Sequence, residues 1–225
     1  MYFKILADDL CHNGFQYKEG LNVDTNIFDE TPSCGGGLFF SDEKNIIEFC
    51  NYGNKIAVVT VPEGKQIVKV NNKFKSHSVI ISDIRNLWSA ETFKWLIENG
   101  ADIHAGYDCA LCWASGNGHL EVVKFLIENG ADIHANYDRA LRWASENGHL
   151  EVVKVLIENG ADIHADDDYA LRLASKNGHL EVVKVLLENG ADIHVYDDCA
   201  LRLASENGHL EVVKVLREAM EKEKE

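Results

Sequence analysis

Histidine is the residue type in this chain whose spacing most strongly suggests chemistry. Eight of the ten histidines recur at two fixed positions, at 104, 134, 164 and 194 and at 119, 149, 179 and 209. Such a ladder could hold metal ions or act as a pH switch. However, equivalent positions of stacked helical units lie about 8–10 Å apart, whereas zinc binds nitrogen at about 2.0–2.1 Å. We therefore predict a structural role, in which a histidine at the start of a helix bonds backbone of the neighbouring unit.

The cysteines offer two weaker metal or redox candidates. Cys109-x-x-Cys112 has the spacing of half a zinc or redox motif, but the chain has no second pair. The equivalent positions of later units hold Arg139 and Arg142, which indicates that this column is simply variable. A second candidate set lacks the paired spacing of zinc ligands. That set consists of His12, Cys34, Cys50 and His77.

Two further patterns resemble parts of known sites. The run Gly35-Gly36-Gly37 could direct backbone N–H groups at an anion, but no Gly-Lys-Ser/Thr follows, so a turn that leads into a strand is favoured. Asp166, Asp167 and Asp168 resemble calcium ligands without the rest of a calcium loop. The sequence thus predicts no catalytic residue, no cofactor and no metal site, and a protein that is not an enzyme.

Charge and hydropathy exclude other classes. The net charge is −15, and residues 81–225 carry most of it, with 14 Lys and Arg against 27 Asp and Glu. Nucleic acid and anionic membranes need a cationic face, so we predict neither as a partner. The acidity favours a protein partner with a basic segment. The sequence contains no apolar run of about 18 residues, so we predict no membrane span. Met1–Leu10 does not have the pattern of a signal peptide. Six cysteines without scaffold spacing indicate an intracellular protein.

An internal repeat organises most of the chain. The stretch G-H-L-E-V-V-K-x-L begins at residues 118, 148, 178 and 208, a constant step of 30 residues. A fixed period near 30 is typical of stacked supersecondary units, each of which buries its apolar face on the next. The predicted units are a degenerate first copy at 83–100 and full copies at 101–130, 131–160, 161–190 and 191–220, followed by a charged tail at 221–225.

Each full unit predicts two helices. The first follows an aspartate, at 108, 138, 168 or 198, whose carboxylate could cap free N–H groups, and it ends near Asn117-Gly118. The second covers about 120–129, where Leu120, Val123 and Leu126 form an apolar stripe. Glu121 and Lys124 lie on the opposite, solvated side and can pair.

Residues 1–80 contain no copy of the repeat and predict a small α+β domain of unknown role. A short helix is expected over Asp42–Tyr52, with Ser41 as its N-cap. Segments rich in β-branched and aromatic residues predict strands. Those strands are Tyr2–Ala7, Lys55–Val61, Gln66–Val70 and Ser78–Ile81.

The segment G-H-L-E-V-V-K-x-L-I-E-N-G-A-D-I resembles the second helix and turn of an ankyrin repeat over about residues 83–220. The family's Thr-Pro-Leu-His-x-Ala is replaced by Cys-Ala-Leu-Cys-Trp-Ala at 109–114, and the period is 30 instead of the usual 33. The missing residues fall in the turn before the first helix, so the family's β-hairpin fingers should be short. Together with the leading H-N-G-F-Q-Y-K-E-G-L-N segment, the repeats resemble the ankyrin proteins of giant DNA viruses of the Mimivirus kind.

The resemblance implies a mainly α fold: an ankyrin-type helix-turn-helix solenoid, preceded by the small α+β domain. It also implies a non-catalytic, monomeric scaffold that binds a host or viral protein in the host cell cytoplasm. A substrate adaptor of a ubiquitin ligase, and an enzyme with its activity in residues 1–80, remain alternative functions.

Residues that differ between units gather on the turn and the first helix, the side that ankyrin proteins present to partners. The candidate protein-binding residues are Tyr107, Tyr137, Arg139, Arg142, Asp167, Tyr169, Arg172, Asp197 and Arg202. Tyrosine and arginine dominate interface hot spots. The same variation could also be drift on an unselected surface, and the arginines could merely neutralise acidic side chains of their own array.

Overall fold

The computed structural model describes residues 1–33 and 35–223. The chain divides after Ala110 into two compact units. Cys34 of the possible zinc set, and the last two residues of the predicted tail, lie outside the described residues.

The first unit is built on antiparallel sheets. Its strands are β1 Tyr2–Leu6, β2 Cys11–His12, β3 Phe15–Gln16, β4 Gly20–Val23, β5 Leu38–Asp42, β6 Lys55–Thr60, β7 Val68–Val70, β8 Lys73–Ser76 and β9 Ser78–Asn86. Seven of them form one sheet in the order β4-β9-β6-β1-β5-β8-β7, and β2 pairs with β3. Leu6, Phe40, Ala57 and Ile81 are buried together against this sheet. In β1, Phe3, Lys4, Ile5 and Leu6 are all buried, and because successive side chains point to opposite faces, both faces of the sheet are covered at this strand.

The four predicted strands are confirmed, with different limits. The last one continues past Ile81 to Asn86, because its outer half pairs with β6. The helix predicted over Asp42–Tyr52 is wrong in type and extent: a 3₁₀ helix covers Ile46–Tyr52 and follows Asn45. Ser41 is not its N-cap. It belongs to β5 and its hydroxyl donates to the backbone oxygen of Asn72.

The glycine run forms a bend that leads into β5, where a tight turn was predicted. The backbone N–H of Gly37 donates to Asp24 Oδ2 at 2.6 Å, so the carboxylate that it binds belongs to the chain itself. The buried Lys75 donates to the carbonyl oxygens of Ser33 and Gly35 at 3.1 and 2.9 Å. These bonds fasten the turn to the sheet.

Helices occupy the rest of the described chain. They are α1 Ala90–Glu98, α2 Ala105–Gly116, α3 Leu120–Glu128, α4 Ala135–Glu146, α5 Leu150–Glu158, α6 Ala165–Asn177, α7 Leu180–Glu188, α8 Val195–Glu206 and α9 Leu210–Lys222. The two helices predicted for each 30-residue unit are therefore confirmed. In the second unit α4 contacts α6 and α6 contacts α8, while α5 contacts α7 and α7 contacts α9. Helices of the same kind thus pack on each other from one repeat to the next.

The second helix of each repeat has the predicted two sides. In α5, Val152, Val153 and Leu156 are fully buried. On the opposite side, Lys154 Nζ lies 2.7 Å from Glu151 Oε1. An apolar stripe of this width requires a neighbouring repeat to cover it.

The second histidine of the last three full repeats bonds the preceding repeat, as predicted. His149 Nε2 lies 3.0 Å from the carbonyl oxygen of Gly116, and His179 Nε2 lies 2.9 Å from that of Glu146. A carbonyl can only accept, so Nε2 must carry the proton in both rings. The imidazole therefore satisfies a carbonyl at the end of the preceding first helix.

Candidate functional site

The turns that precede the first helices have an unusual backbone. Three consecutive residues adopt left-handed dihedral angles in each full repeat, and those of the second unit are at 136–138, 166–168 and 196–198. We call these nine residues the turn face. Left-handed conformation costs about 1–2 kcal/mol per non-glycine residue, and only Asn and Asp tolerate it easily. Conformations of this kind persist where surrounding contacts over-determine them, often at functional sites.

A buried aspartate holds the turns at 136–138 and 166–168 in place. Asp138 is 4% exposed, and its Oδ1 accepts hydrogen bonds from His134 Nδ1 at 3.1 Å and from the backbone N–H of Asp162 at 2.8 Å. Asp168 makes the same two bonds, to His164 and to the backbone N–H of Asp192. Hydrogen bonds to a charged group contribute about 1.5–3 kcal/mol each, which offsets much of the strain.

This arrangement corrects the prediction that these aspartates cap the first helix. Asp138 and Asp168 instead tie the turn to the backbone of the following repeat. It also gives the first histidine of each repeat a partner. His194 shows the consequence most clearly, because its hydrogen bond with Asp198, with a further contribution from Glu223, raises its pKa.

The tyrosines of the turns point into solvent. Tyr137 is 78% exposed on the turn face, and Tyr107, in the first compact unit, is 80% exposed. Both were predicted binding residues. Tyr196 is exposed as well, and its hydroxyl donates to Asp167 Oδ2 at 2.6 Å, which raises the pKa of Tyr196. The sequence prediction missed Tyr196, although it occupies one of the variable columns.

The predicted arginines of the first helices bind back onto the turns. Arg142 Nη1 lies 2.8 Å from Asp166 Oδ2, its Nη2 donates to the carbonyl oxygen of Asn136, and the side chain is only 14% exposed. Arg172 donates to the carbonyl oxygens of Asp166 and Asp167. These two guanidinium groups therefore brace the turns. Arg142 also pairs with a carboxylate of its own array, which is the internal role left open as an alternative.

The remaining predicted binding residues lie around these arginines. The ring of Tyr169 has the guanidinium of Arg172 at 4.6 Å from its centroid and that of Arg142 at 5.7 Å. Arg139 is exposed and lies 5.3 Å from the Trp143 ring centroid. Arg202 is exposed near Cys199, and Asp197 is exposed on its turn.

Between the turns at 136–138 and 166–168 lies a wide, shallow groove that is open to solvent. Tyr137, Asp162, Asp166 and Asp167 line it, together with the histidine–aspartate pair at 134 and 138. A lysine or arginine side chain in this groove would meet carboxylates at its charged end and the tyrosine ring along its stem. The groove thus presents carboxylates and an aromatic ring side by side, and two of these carboxylates also bond Arg142 and Tyr196 of the chain itself.

A second, small cavity of about 40 Å³ lies in the first compact unit. Lys4 lines it at 4% exposure and donates to the carbonyl oxygen of Phe39 at 2.7 Å. Burial, and then the charge of Lys73, lower the pKa of Lys4 to about 7. Burial, Lys4 and Lys73 likewise lower the pKa of His12 to about 4. A lysine whose pKa is lowered towards neutrality is a feature of reactive lysines.

Among residues 1–33 and 35–223, no group of three or more His, Cys, Asp or Glu side chains is arranged to hold a metal ion. The same described residues contain no helix that is long and apolar enough to cross a membrane.

Comparison with known proteins decides the family. The model for ankyrin repeats matches residues 84–167 and 164–225, more than half of the chain. The chain belongs to the ankyrin-repeat family. Within that family, the predicted resemblance to giant-virus proteins is confirmed by relatives from Acanthamoeba polyphaga mimivirus.

Three of these relatives match about half of this ankyrin-repeat chain. Uncharacterized protein R869 is 32% identical over 130 residues, 55% of this chain and 94% of its own. Putative ankyrin repeat protein R868 is 30% identical over 131 residues, 55% of this chain and 64% of its own. Putative ankyrin repeat protein R896 is 38% identical over 128 residues, 54% of this chain and 39% of its own.

Proposed function

We propose that this ankyrin-repeat protein is a non-catalytic, monomeric solenoid scaffold whose turn face binds a basic segment of a host or viral protein in the host cytoplasm. The observation that carries the proposal is Tyr137, an exposed tyrosine on a strained turn beside a groove lined by carboxylates. Tyrosine provides a large contact area with a polar end at low entropic cost. The contacts of α4, α6 and α8, and of α5, α7 and α9, support the solenoid.

The bracing arginines supply rigidity instead of direct contacts in this proposal. Arg142 and Arg172 fix the backbone carbonyls of the turns, so the tyrosine and the aspartates are held in place before a partner arrives. A surface organised in advance loses less conformational entropy on binding. The acidity of the repeats would speed the encounter with a basic partner, and this rate should fall with salt.

The test compares partner capture by variants of the full chain in cell extracts. Tyr137→Ala with Asp167→Asn should abolish capture and leave the helical circular dichroism signal unchanged. Glu151→Ala is the matched control, since Glu151 lies on the solvated side of α5 and should capture normally. Capture that survives the double substitution but is lost when residues 1–80 are deleted would place recognition in the leading domain.

The same capture experiment separates the scaffold from a ubiquitin-ligase adaptor, because ligase subunits should come down only with an adaptor. The alternative of an enzyme in residues 1–80 is favoured by one observation, the cavity amine of Lys4. Reduction with borohydride in the presence of an aldehyde should then label Lys4 ahead of exposed lysines such as Lys69. Equal labelling of both lysines would remove this support.

A further inference from the structure

Two cysteine thiols from distant parts of the first compact unit lie against each other. Cys50 is almost fully buried in the 3₁₀ helix Ile46–Tyr52. Cys109 is partly exposed on the first helical turn after the left-handed residues of α2. Their Sγ atoms are 3.9 Å apart, and the Cys109 thiol also donates to the carbonyl oxygen of Ile47 at 3.3 Å. Both cysteines are in the reduced, thiol form in the structure.

We propose that Cys50 and Cys109 form a redox modification site, which hydrogen peroxide converts into a disulfide. The Cys109 thiolate attacks peroxide, one oxygen is transferred to sulfur, and the other leaves as water after protonation. The Cys50 sulfur then attacks the sulfenic acid of Cys109, its thiol proton and the departing hydroxyl leave as a second water, and the S–S bond forms. In total two thiols lose two hydrogens and one peroxide becomes two waters.

The distance between the two sulfurs and the different burial of the two thiols both suit this reaction. A disulfide joins its sulfurs at about 2.05 Å, so the two Sγ atoms, 3.9 Å apart, need to approach by about 2 Å. The roles of the two thiols also differ by burial. Cys109 is the more accessible to peroxide, while Cys50 is shielded and suits the role of the resolving thiol.

Electrostatics supports Cys109 as the attacking thiol. The hydrogen bond from Cys50 lowers the pKa of Cys109, although burial and the nearby Glu48 and Asp108 act in the opposite direction. A lowered pKa increases the thiolate fraction, and the thiolate is the nucleophile. Cys199 occupies the same column of the last repeat but lies near Arg202, so it offers a matched control.

The disulfide would join the 3₁₀ helix Ile46–Tyr52 to the start of α2, within the first unit. The loop that it closes contains strands β6 to β9 and helix α1. Cross-linking such a long loop restricts the unfolded chain. Oxidation should therefore raise the thermal midpoint of the first unit, and dithiothreitol should reverse the change.

The experiment uses the reduced full chain, treated with hydrogen peroxide and quenched before non-reducing peptide mapping by mass spectrometry. We expect the protein to lose two of its six thiols and to yield one cross-linked peptide pair that contains Cys50 and Cys109. Cys199→Ser should form the same cross-link. Cys109→Ser should lose it, with an unchanged circular dichroism spectrum.

Two results would overturn the proposal. One is oxidation of the wild-type protein to sulfinic or sulfonic acids without a cross-link, and the other is a dominant cross-link between different cysteines. Both are read on the wild-type chain, so the conclusion does not depend on whether Cys50→Ser folds.

Discussion

Replacing Gly148 with alanine should destabilise the protein more than the same change at Gly160. Both glycines have left-handed backbone, with φ angles of 75° and 95°. At Gly148 an added Cβ would lie 2.5 Å from Nδ1 of His179, whereas at Gly160 it would meet nothing within 4 Å. The histidine ring packs directly on the glycine, so only one of the two sites has a steric conflict in addition to backbone strain.

The magnitude follows from the bonds involved. Each variant places alanine in left-handed conformation, at a cost of about 1–2 kcal/mol. At Gly148 the ring of His179 must also move away, and the hydrogen bond from its Nε2 to Glu146 is lost or lengthened. An intramolecular hydrogen bond contributes about 0.5–1.5 kcal/mol. We therefore expect Gly148→Ala to cost at least about 0.5–1.5 kcal/mol more than Gly160→Ala.

Urea unfolding followed by circular dichroism at 222 nm measures both variants. A double-mutant cycle adds a sharper check. In a His179→Ala background the obstructing ring is absent, so Gly148→Ala should cost about as much as Gly160→Ala. Equal midpoints for the two single variants, or no coupling between positions 148 and 179, would refute the packing of histidine on glycine between repeats.

Three further predictions follow from burial and charge. Leu156→Ala removes buried carbons between inner repeats and should lower the free energy of unfolding by about 2–5 kcal/mol. Glu151→Ala, on the solvated side, should change the urea midpoint little. Matching midpoints for the two variants would contradict the assignment of the two sides. Burial, with Lys4 and Lys73, lowers the pKa of His12 from 6.5 to about 4, so the folded state binds fewer protons than the unfolded state within this window and stability should fall as the pH decreases through it. His12→Gln should flatten that part of the stability profile, and an unchanged slope would count against the shifted pKa. EDTA should leave the thermal midpoint unchanged, and a clear fall would show that the fold depends on a metal ion.

The sequence predicted the helical repeats well because their signal is local and repeated. The stripe of Val152, Val153 and Leu156 follows from helical periodicity alone, and four near-identical copies make the period unmistakable. The bond from His179 to the preceding repeat could also be expected, since a polar ring at a helix start needs a partner. The sheet was predicted less well. Strands such as β5 and β8 are defined by their pairing with each other, which local composition does not specify.

Only the tertiary structure decided what the candidate site residues do. Asp138 occupies a typical N-cap position in the sequence, yet it bonds the backbone of a residue 24 positions later. Arg142 is of a residue type that is common in interface hot spots, yet its guanidinium pairs with Asp166 of the next repeat. The meeting of Cys50 and Cys109 likewise depends on how the 3₁₀ helix packs on the start of α2. Helix periodicity acts over a few residues, whereas these contacts join segments far apart in the chain, so they exist only once the repeats and the sheet have folded.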